Sequence, residues 1–353
     1  MSRRTFFKVL LVAIAIFAIS VLTGVLSAQG RSDQAFERVK EVQEKHTARL
    51  MKIKGVVGTA VGFNQNDQAE VKVLLEKPGV VGIPKKLDDV TVQTVVTGKF
   101  YALAPGGIPG KPDKPGKPGN GKKINPKKRC DRPVPIGVST GNEGECSSGT
   151  IGCRVKDAGG NVYALSNNHV YALENTAPIG SDVLQPGRYD AKPQCAIRSK
   201  DVIGTLADFE PIDFGDANNT IDAAIALSST ANLGNATPSN GYGKPMSVPV
   251  AAIVGQAVQK YGRTTSLTKG NITLVNATVD VGYTSGTAQF VDQIIVQAAD
   301  RFIGRGDSGS LLVTDPDRNP VGLLFAGNEA GTHAVANRID LVLTRFGAAI
   351  DGE

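Results

Sequence analysis

From residue 134 onward the chain is a succession of short apolar runs broken by glycine-rich turns, at 149–155, 162–166, 183–185, 202–206, 221–227, 248–253, 257–260, 270–280, 289–297, 310–314, 321–325 and 333–337. Runs of this kind are predicted to be β-strands, because every second side chain of a strand faces the same side of its sheet. About a dozen strands, short and evenly spaced, fit two antiparallel barrels of about six strands each. The 41 glycines, 19 prolines and absent tryptophan favour turns and short strands over long helices. Only the stretch 339–350, with Leu341, Val342, Leu343 and Phe346 at helical spacing, is predicted to close this part as a helix.

Just before the run at 310–314 lies Arg305-Gly306-Asp307-Ser308-Gly309-Ser310. A Gly-Asp-Ser-Gly turn feeding a strand has a specific chemical use. The serine hydroxyl attacks a carbonyl carbon. The backbone N–H groups of the serine and of the glycine two residues before it converge on the oxyanion that forms. Here those donors would be Gly306 and Ser308. A side chain at 306 would crowd that approach, and Gly309 would let a substrate lie close to the backbone. A serine hydroxyl is a weak nucleophile near neutral pH unless a base takes its proton. His169, at the end of Val162-Tyr163-Ala164-Leu165-Ser166-Asn167-Asn168-His169-Val170, is the expected base and then the acid for the leaving group. Asp222 opens the apolar run 221–227 and is expected to hold the other ring N–H. Asp213 and Asp216 are rivals, but they lie in a polar Gly/Asn loop that would not bury a carboxylate behind the ring. His333, at the start of a run after a glycine-rich turn, reads as a surface or packing residue.

The order His, Asp, Ser, at spacings of roughly fifty and roughly ninety residues, is that of the trypsin/chymotrypsin clan. From about Val134 to the C-terminus the sequence resembles a bacterial trypsin-like serine peptidase. Tyr261-Gly262-Arg263-Thr264-Thr265-Ser266-Leu267-Thr268 and Asn276-Ala277-Thr278-Val279 are similar to the streptogrisin type. The resemblance implies a mainly β, chymotrypsin-like double antiparallel β-barrel with a C-terminal helix. It implies endopeptidase activity on protein or peptide substrates through an acyl-enzyme, with no cofactor and no metal. The implied substrate pocket has Phe302, Arg305, Phe325 and Gly327 in its walls. Phe302 stands where an aspartate gives trypsin its preference for basic residues, so an apolar or small residue is expected before the cut. Two departures are Ser310, where glycine is usual, and the want of an evident cation for Asp307. Bacterial relatives often use an internal arginine, and which arginine would serve here is not readable. The same triad suits an esterase. A non-catalytic binding or scaffold protein on this fold is the other alternative, and the intact His, Asp and Ser argue against it.

Ahead of this part lie three segments. Residues 1–29 read as an export signal, with Arg3, Arg4 and Lys8 before an apolar stretch and Leu26-Ser27-Ala28 as a cleavage site. Ser2-Arg3-Arg4-Thr5-Phe6-Phe7-Lys8 also matches the twin-arginine pattern, so both export routes stand. A secreted or periplasmic protein, meeting the membrane only through this segment, is expected. Residues 32–103 are predicted to be a small α+β domain. Its helix, capped by Ser32 or Asp33, would run to about Met51 with Phe36, Val39, Val42 or Gln43, His46 and Leu50 on one face. Strands at 55–62, 69–76 and 90–98 would follow. As a prosegment this domain would contact the second domain intramolecularly; a docking module or a spacer are the alternatives. Residues 104–133 are a basic Pro/Gly-rich linker, read as an extended spacer open to proteolysis. The net charge of +6 is mild and owes much to this linker, so nothing points to nucleic-acid binding. Cys130, Cys146, Cys153 and Cys195 permit three disulfide pairings. The resemblance puts Cys153 at a plausible place to staple the strand carrying His169, although Val170 stands where the usual partner would. The absence of Cys-x-x-Cys spacing and of clustered histidines argues against a zinc site.

Overall fold

The computed structural model describes residues 34–103, 124–215 and 218–353. The export-signal reading, the Ser32/Asp33 cap, most of the linker and Asp216 lie outside the described residues. Helix α1 (34–51) is followed by β1 (Val56–Phe63), β2 (Ala69–Leu75), β3 (Lys86–Leu87), β4 (Val90–Val96) and β5 (Phe100–Ala102). Next come β6 (Ser139–Asn142), β7 (Gly149–Thr150), β8 (Cys153–Asp157), β9 (Val162–Ser166), the one-turn helix α2 (Asn168–Tyr171), β10 (Asp182–Leu184), β11 (Val202–Phe209) and β12 (Ala224–Ser228). The last part holds β13 (Ala257–Gly262), β14 (Ser266–Gly282), β15 (Thr287–Gln297), β16 (Leu311–Thr314), β17 (Pro320–Asn328), β18 (His333–Arg338), α3 (Ile339–Phe346) and β19 (Ala348–Ile350).

The protein is mainly β, with two large sheets and a short helix near the C-terminus. One sheet runs β19-β8-β9-β12-β11-β10-β6-β7. The other contains the ring β13-β16-β17-β18-β15-β14, closed by the pairing of β13 with β14. Closure removes the free edges that an open sheet would present. The apolar faces meet in a shared core: Val155, Leu165, Ile203 and Ile225 of the first sheet pack in one cluster with Leu311, Val313 and Leu323 of the second, and with Ile339 and Val342 of α3. The helix expected over 339–350 stops at Phe346: Gly347, in the left-handed conformation, ends α3, and 348–350 returns as β19 to pair with β8 of the first sheet.

The segment 34–103 does not stand apart from this body. β1 pairs antiparallel with β14, Gly58 opposite Val279 and Val61 opposite Val275, so the second sheet continues through β1, β2, β4 and β3. Along α1 the predicted spacing brings Val39, Val42 and Leu50 onto Val61, Val71 and Val73, while Gln43 is satisfied by Thr47 and Thr59. His46, on the same predicted face, meets Asp88 at 3.1 Å.

Three further expectations need correction. The run 248–253 is not a strand. Pro249 lacks an N–H, and Val248 and Ile253 are exposed, so only Val250 and Ala252 pack against the core. Cys153 is buried and unpaired, and the disulfide joins Cys146 to Cys195. The end of the predicted linker is pinned to the first sheet rather than spanning solvent: Arg129 pairs with Asp201 at 2.9 Å, and the Cys130 N–H donates to Gln185.

Candidate active site

The pairing of β9 with β12 sets Ala224 opposite Ser166 in antiparallel register. Stepping back two residues on one strand and forward on the other brings Asp222 beside Asn168 and His169. The chain turns there into α2, where the Val170 and Tyr171 N–H groups donate to the Asn167 carbonyl. His169 Nδ1 lies 2.5 Å from Asp222 Oδ2, and the His169 N–H donates to Asp222 Oδ1 at 3.2 Å. Both side chains are buried.

Asp222 is held from every side. Its N–H donates to Asn337 Oδ1 on β18, its carbonyl accepts from Asn167 Nδ2, and its Oδ2 accepts from the Tyr283 hydroxyl at 2.9 Å. The Tyr283 ring stands edge-on to His169, with centroids 5.8 Å apart. Burial, together with the Asp222 charge, pushes the Tyr283 hydroxyl well above its usual pKa, so it remains a donor. Neither Tyr283 nor Asn337 was singled out from the sequence. Asp213, the described rival, is engaged with its own loop: its carboxylate accepts the Gly215 N–H. His169 Nε2 is buried and has no hydrogen-bond partner. His333 packs beside Asn328 and Thr332, apart from this pair.

The turn carrying Ser308 is shaped by Asp307. This buried carboxylate accepts from the N–H groups of Gly304, Thr264 and Thr265 and from the Thr265 hydroxyl, and it pairs with Lys260 Nζ at 3.2 Å. The cation that the sequence left open is therefore a lysine of β13, itself fully buried. Arg263 instead pairs with Asp190. Burial alone would push the Asp307 carboxyl up. The Lys260 charge and the hydrogen bonds from Thr265 and Thr264 outweigh it and hold the carboxyl below its usual range.

Gly306 has φ +96°, and a Cβ there would meet Arg263 and Thr264 at under 3 Å, so both conformation and space demand glycine. Gly309, at φ +92°, is explained by packing and not by substrate: a Cβ would strike the Thr150 carbonyl and the Ser166 hydroxyl. Thr150, on β7 of the first sheet, donates its N–H to the Ser308 carbonyl and its hydroxyl to the Gly306 carbonyl. The Thr150 carbonyl accepts the hydroxyl of Ser166, three residues before His169. These bonds place the serine turn against the histidine segment across the seam between the sheets.

Ser308 Oγ does not bond His169 in this structure. It donates to the Phe325 carbonyl at 3.1 Å and accepts from the Leu103 N–H at 3.3 Å. The Leu103 carbonyl accepts the Gly306 N–H at 2.5 Å. Of the pocket residues, Phe302 shares an apolar cluster with Ile303 and Leu103, and a Cβ on Gly327 would touch both Ile303 and Leu103. Phe325 contributes its carbonyl here, while its ring stacks on Phe290. The Arg305 carbonyl accepts the Thr264 hydroxyl.

A family profile described as the Nal1 C-terminal domain matches residues 208–342, a segment with Asp222 and Ser308 but not His169. No curated protein matches the chain. Among solved structures, the chain is similar to a protease from Nocardiopsis, at 19% identity over 62% of this chain and 98% of that one, with a TM-score of 0.43. It is similar to protease A of Thermobifida fusca at 19% identity over 62% of this chain and 99% of that one, TM-score 0.44. A chymotrypsin from Cellulomonas bogoriensis is similar at 23% identity over 62% and 99% of the two chains, TM-score 0.41.

Proposed function

We propose that the protein is an exported serine endopeptidase that works through His169, Asp222 and Ser308. The observation that carries this reading is the free ring nitrogen of His169. Buried polar atoms without a partner are rare. With Asp222 fixing Nδ1, the buried Nε2 is left as an acceptor for an incoming hydroxyl proton. Rotation of Ser308 about χ1, away from the Phe325 carbonyl, supplies that hydroxyl; such bonds often form only once substrate is in place.

In the reaction, Ser308 Oγ attacks the substrate carbonyl and its proton passes to His169. The Gly306 and Ser308 N–H groups bind the oxyanion, and His169 then protonates the leaving amine. Asp222 stabilises the imidazolium, and Tyr283 and Asn337 keep Asp222 in place. Phe302 and Gly327 make the pocket apolar and open, which favours an apolar residue before the cut. A strand, β5, already paired alongside the Ser308 turn favours a peptide over a simple ester as substrate. The signal-like sequence of residues 1–29 and the Cys146–Cys195 disulfide suit an oxidising compartment outside the cytoplasm. The test is labelling with a fluorophosphonate probe: the wild type is expected to be labelled on Ser308, and Ser308→Ala is expected to be silent. Labelling of both to the same extent would refute the reading.

A further inference from the structure

Leu103 is bound as a substrate residue would be. β5 lies antiparallel to β17, with Ala102 opposite Ala326, Tyr101 opposite Gly327 and Phe100 opposite Asn328, and parallel to β14 on its other side. The chain leaves β5 directly into the Ser308 turn. There the Leu103 N–H contacts Ser308 Oγ at 3.3 Å, and its carbonyl takes the Gly306 N–H at 2.5 Å. These two contacts are to the nitrogen and the carbonyl oxygen of one residue, one made by the candidate nucleophile and the other by a candidate oxyanion donor. The leucine side chain, 6% exposed, fills the apolar pocket of Phe302 and Ile303 over Gly327.

Resting on the peptidase reading above, we infer that the bond following Leu103 is the enzyme's own first substrate, and that residues 34–103 stay bound afterwards as a product inhibitor. Ser308 Oγ forms a bond to the Leu103 carbonyl carbon, and the bond from that carbon to the nitrogen of residue 104 breaks. The Oγ proton travels through His169 Nε2 to the departing amine. Water then attacks the ester, giving the Leu103 carboxylate and restoring the Ser308 hydroxyl. The balance needs no other reactant. Release is slow because the cut leaves the other anchors intact. β1 still pairs with β14, β5 still lies between β14 and β17, and Asn328 Nδ2 still donates to the Thr97 carbonyl. The same occupancy assigns leucine, or a similar branched aliphatic side chain, as the preferred residue before the cut.

The test uses the full chain as wild type, Ser308→Ala, Leu103→Asp and, as a milder variant that keeps the apolar stem, Leu103→Ala. Intact mass is expected to show the wild type cut after Leu103, with the two pieces co-eluting on size exclusion, and Ser308→Ala uncut. Burying a leucine favours the plugged state by a free energy that converts to roughly a ten- to a hundredfold effect. Fluorophosphonate labelling of Leu103→Asp is therefore expected to be faster than wild type by that factor, with Leu103→Ala between them. Circular dichroism checks that both variants fold. A wild type that labels readily yet is uncut at Leu103, or that labels as fast as the Leu103 variants, would overturn this inference and leave the peptidase reading standing. No labelling of any folded form would overturn both.

Discussion

Two buried aspartates, Asp222 and Asp307, frame the site, and they are built for opposite ends. Both are fully buried and both face a nitrogen base. Asp307 has a lysine and four further donors from the β13–β14 turn and from its own loop, and it holds a turn in shape. Asp222 faces an imidazole that must gain and lose a proton in the proposed reaction. Its other partners, Tyr283, Asn337 and Asn167, are neutral. A fixed charge beside Asp222 would compete with the charge that develops on His169. A titrating partner beside Asp307 would let the turn loosen. The difference teaches that burial and geometry alone would not single out the carboxylate proposed to support the base; the kind of partner does.

Substitutions on either side sharpen this contrast. The largest expected effect is Asp222→Asn, which keeps the shape but cannot orient the ring. It should lower kcat/KM for a leucine peptide by about four orders of magnitude, with the midpoint of urea unfolding little changed. Lys260→Met should do the reverse, costing about 3–5 kcal/mol by leaving a buried carboxylate without its cation. It should also change the acid response. Asp307 has a folded pKa below its unfolded one, so its stability contribution is complete above the usual carboxylate range and is lost as pH falls through the folded value. Without Lys260 that folded value rises, and unfolding by acid should begin at higher pH. The smallest effect is expected from Tyr283→Phe, which removes one hydrogen bond worth about 1 kcal/mol. This should cost roughly fivefold in kcat, with KM little changed. A shift of the His169 Nδ1–H proton resonance would separate positioning of Asp222 from a general loss of stability.

The sequence made some of this legible and hid the rest for physical reasons. His169, Asp222 and Ser308 stood out because each sits at the edge of a strand signal in a motif with one chemical use. Lys260 did not, because a lysine between Gln259 and Tyr261 in an alternating run reads as facing solvent, whereas here it is drawn inward by Asp307, 47 residues away. Tyr283 follows the end of β14, 61 residues from Asp222, and only the sheet pairing brings them together. β5 is three residues long, and its partners lie far along the chain, so no local period could announce it. β1, β2 and β4 were readable from their apolar runs, but that β1 would extend the second sheet was not, since pairing between distant strands leaves no mark on either one.

The central claim is tested most directly by mapping the fluorophosphonate adduct by peptide mass spectrometry in wild type, Ser308→Ala and His169→Ala, each carrying Leu103→Asp to open the pocket. The account predicts an adduct on Ser308 that forms at least about a thousandfold more slowly without His169. An adduct on another residue, or one on Ser308 that forms equally fast without His169, would contradict it.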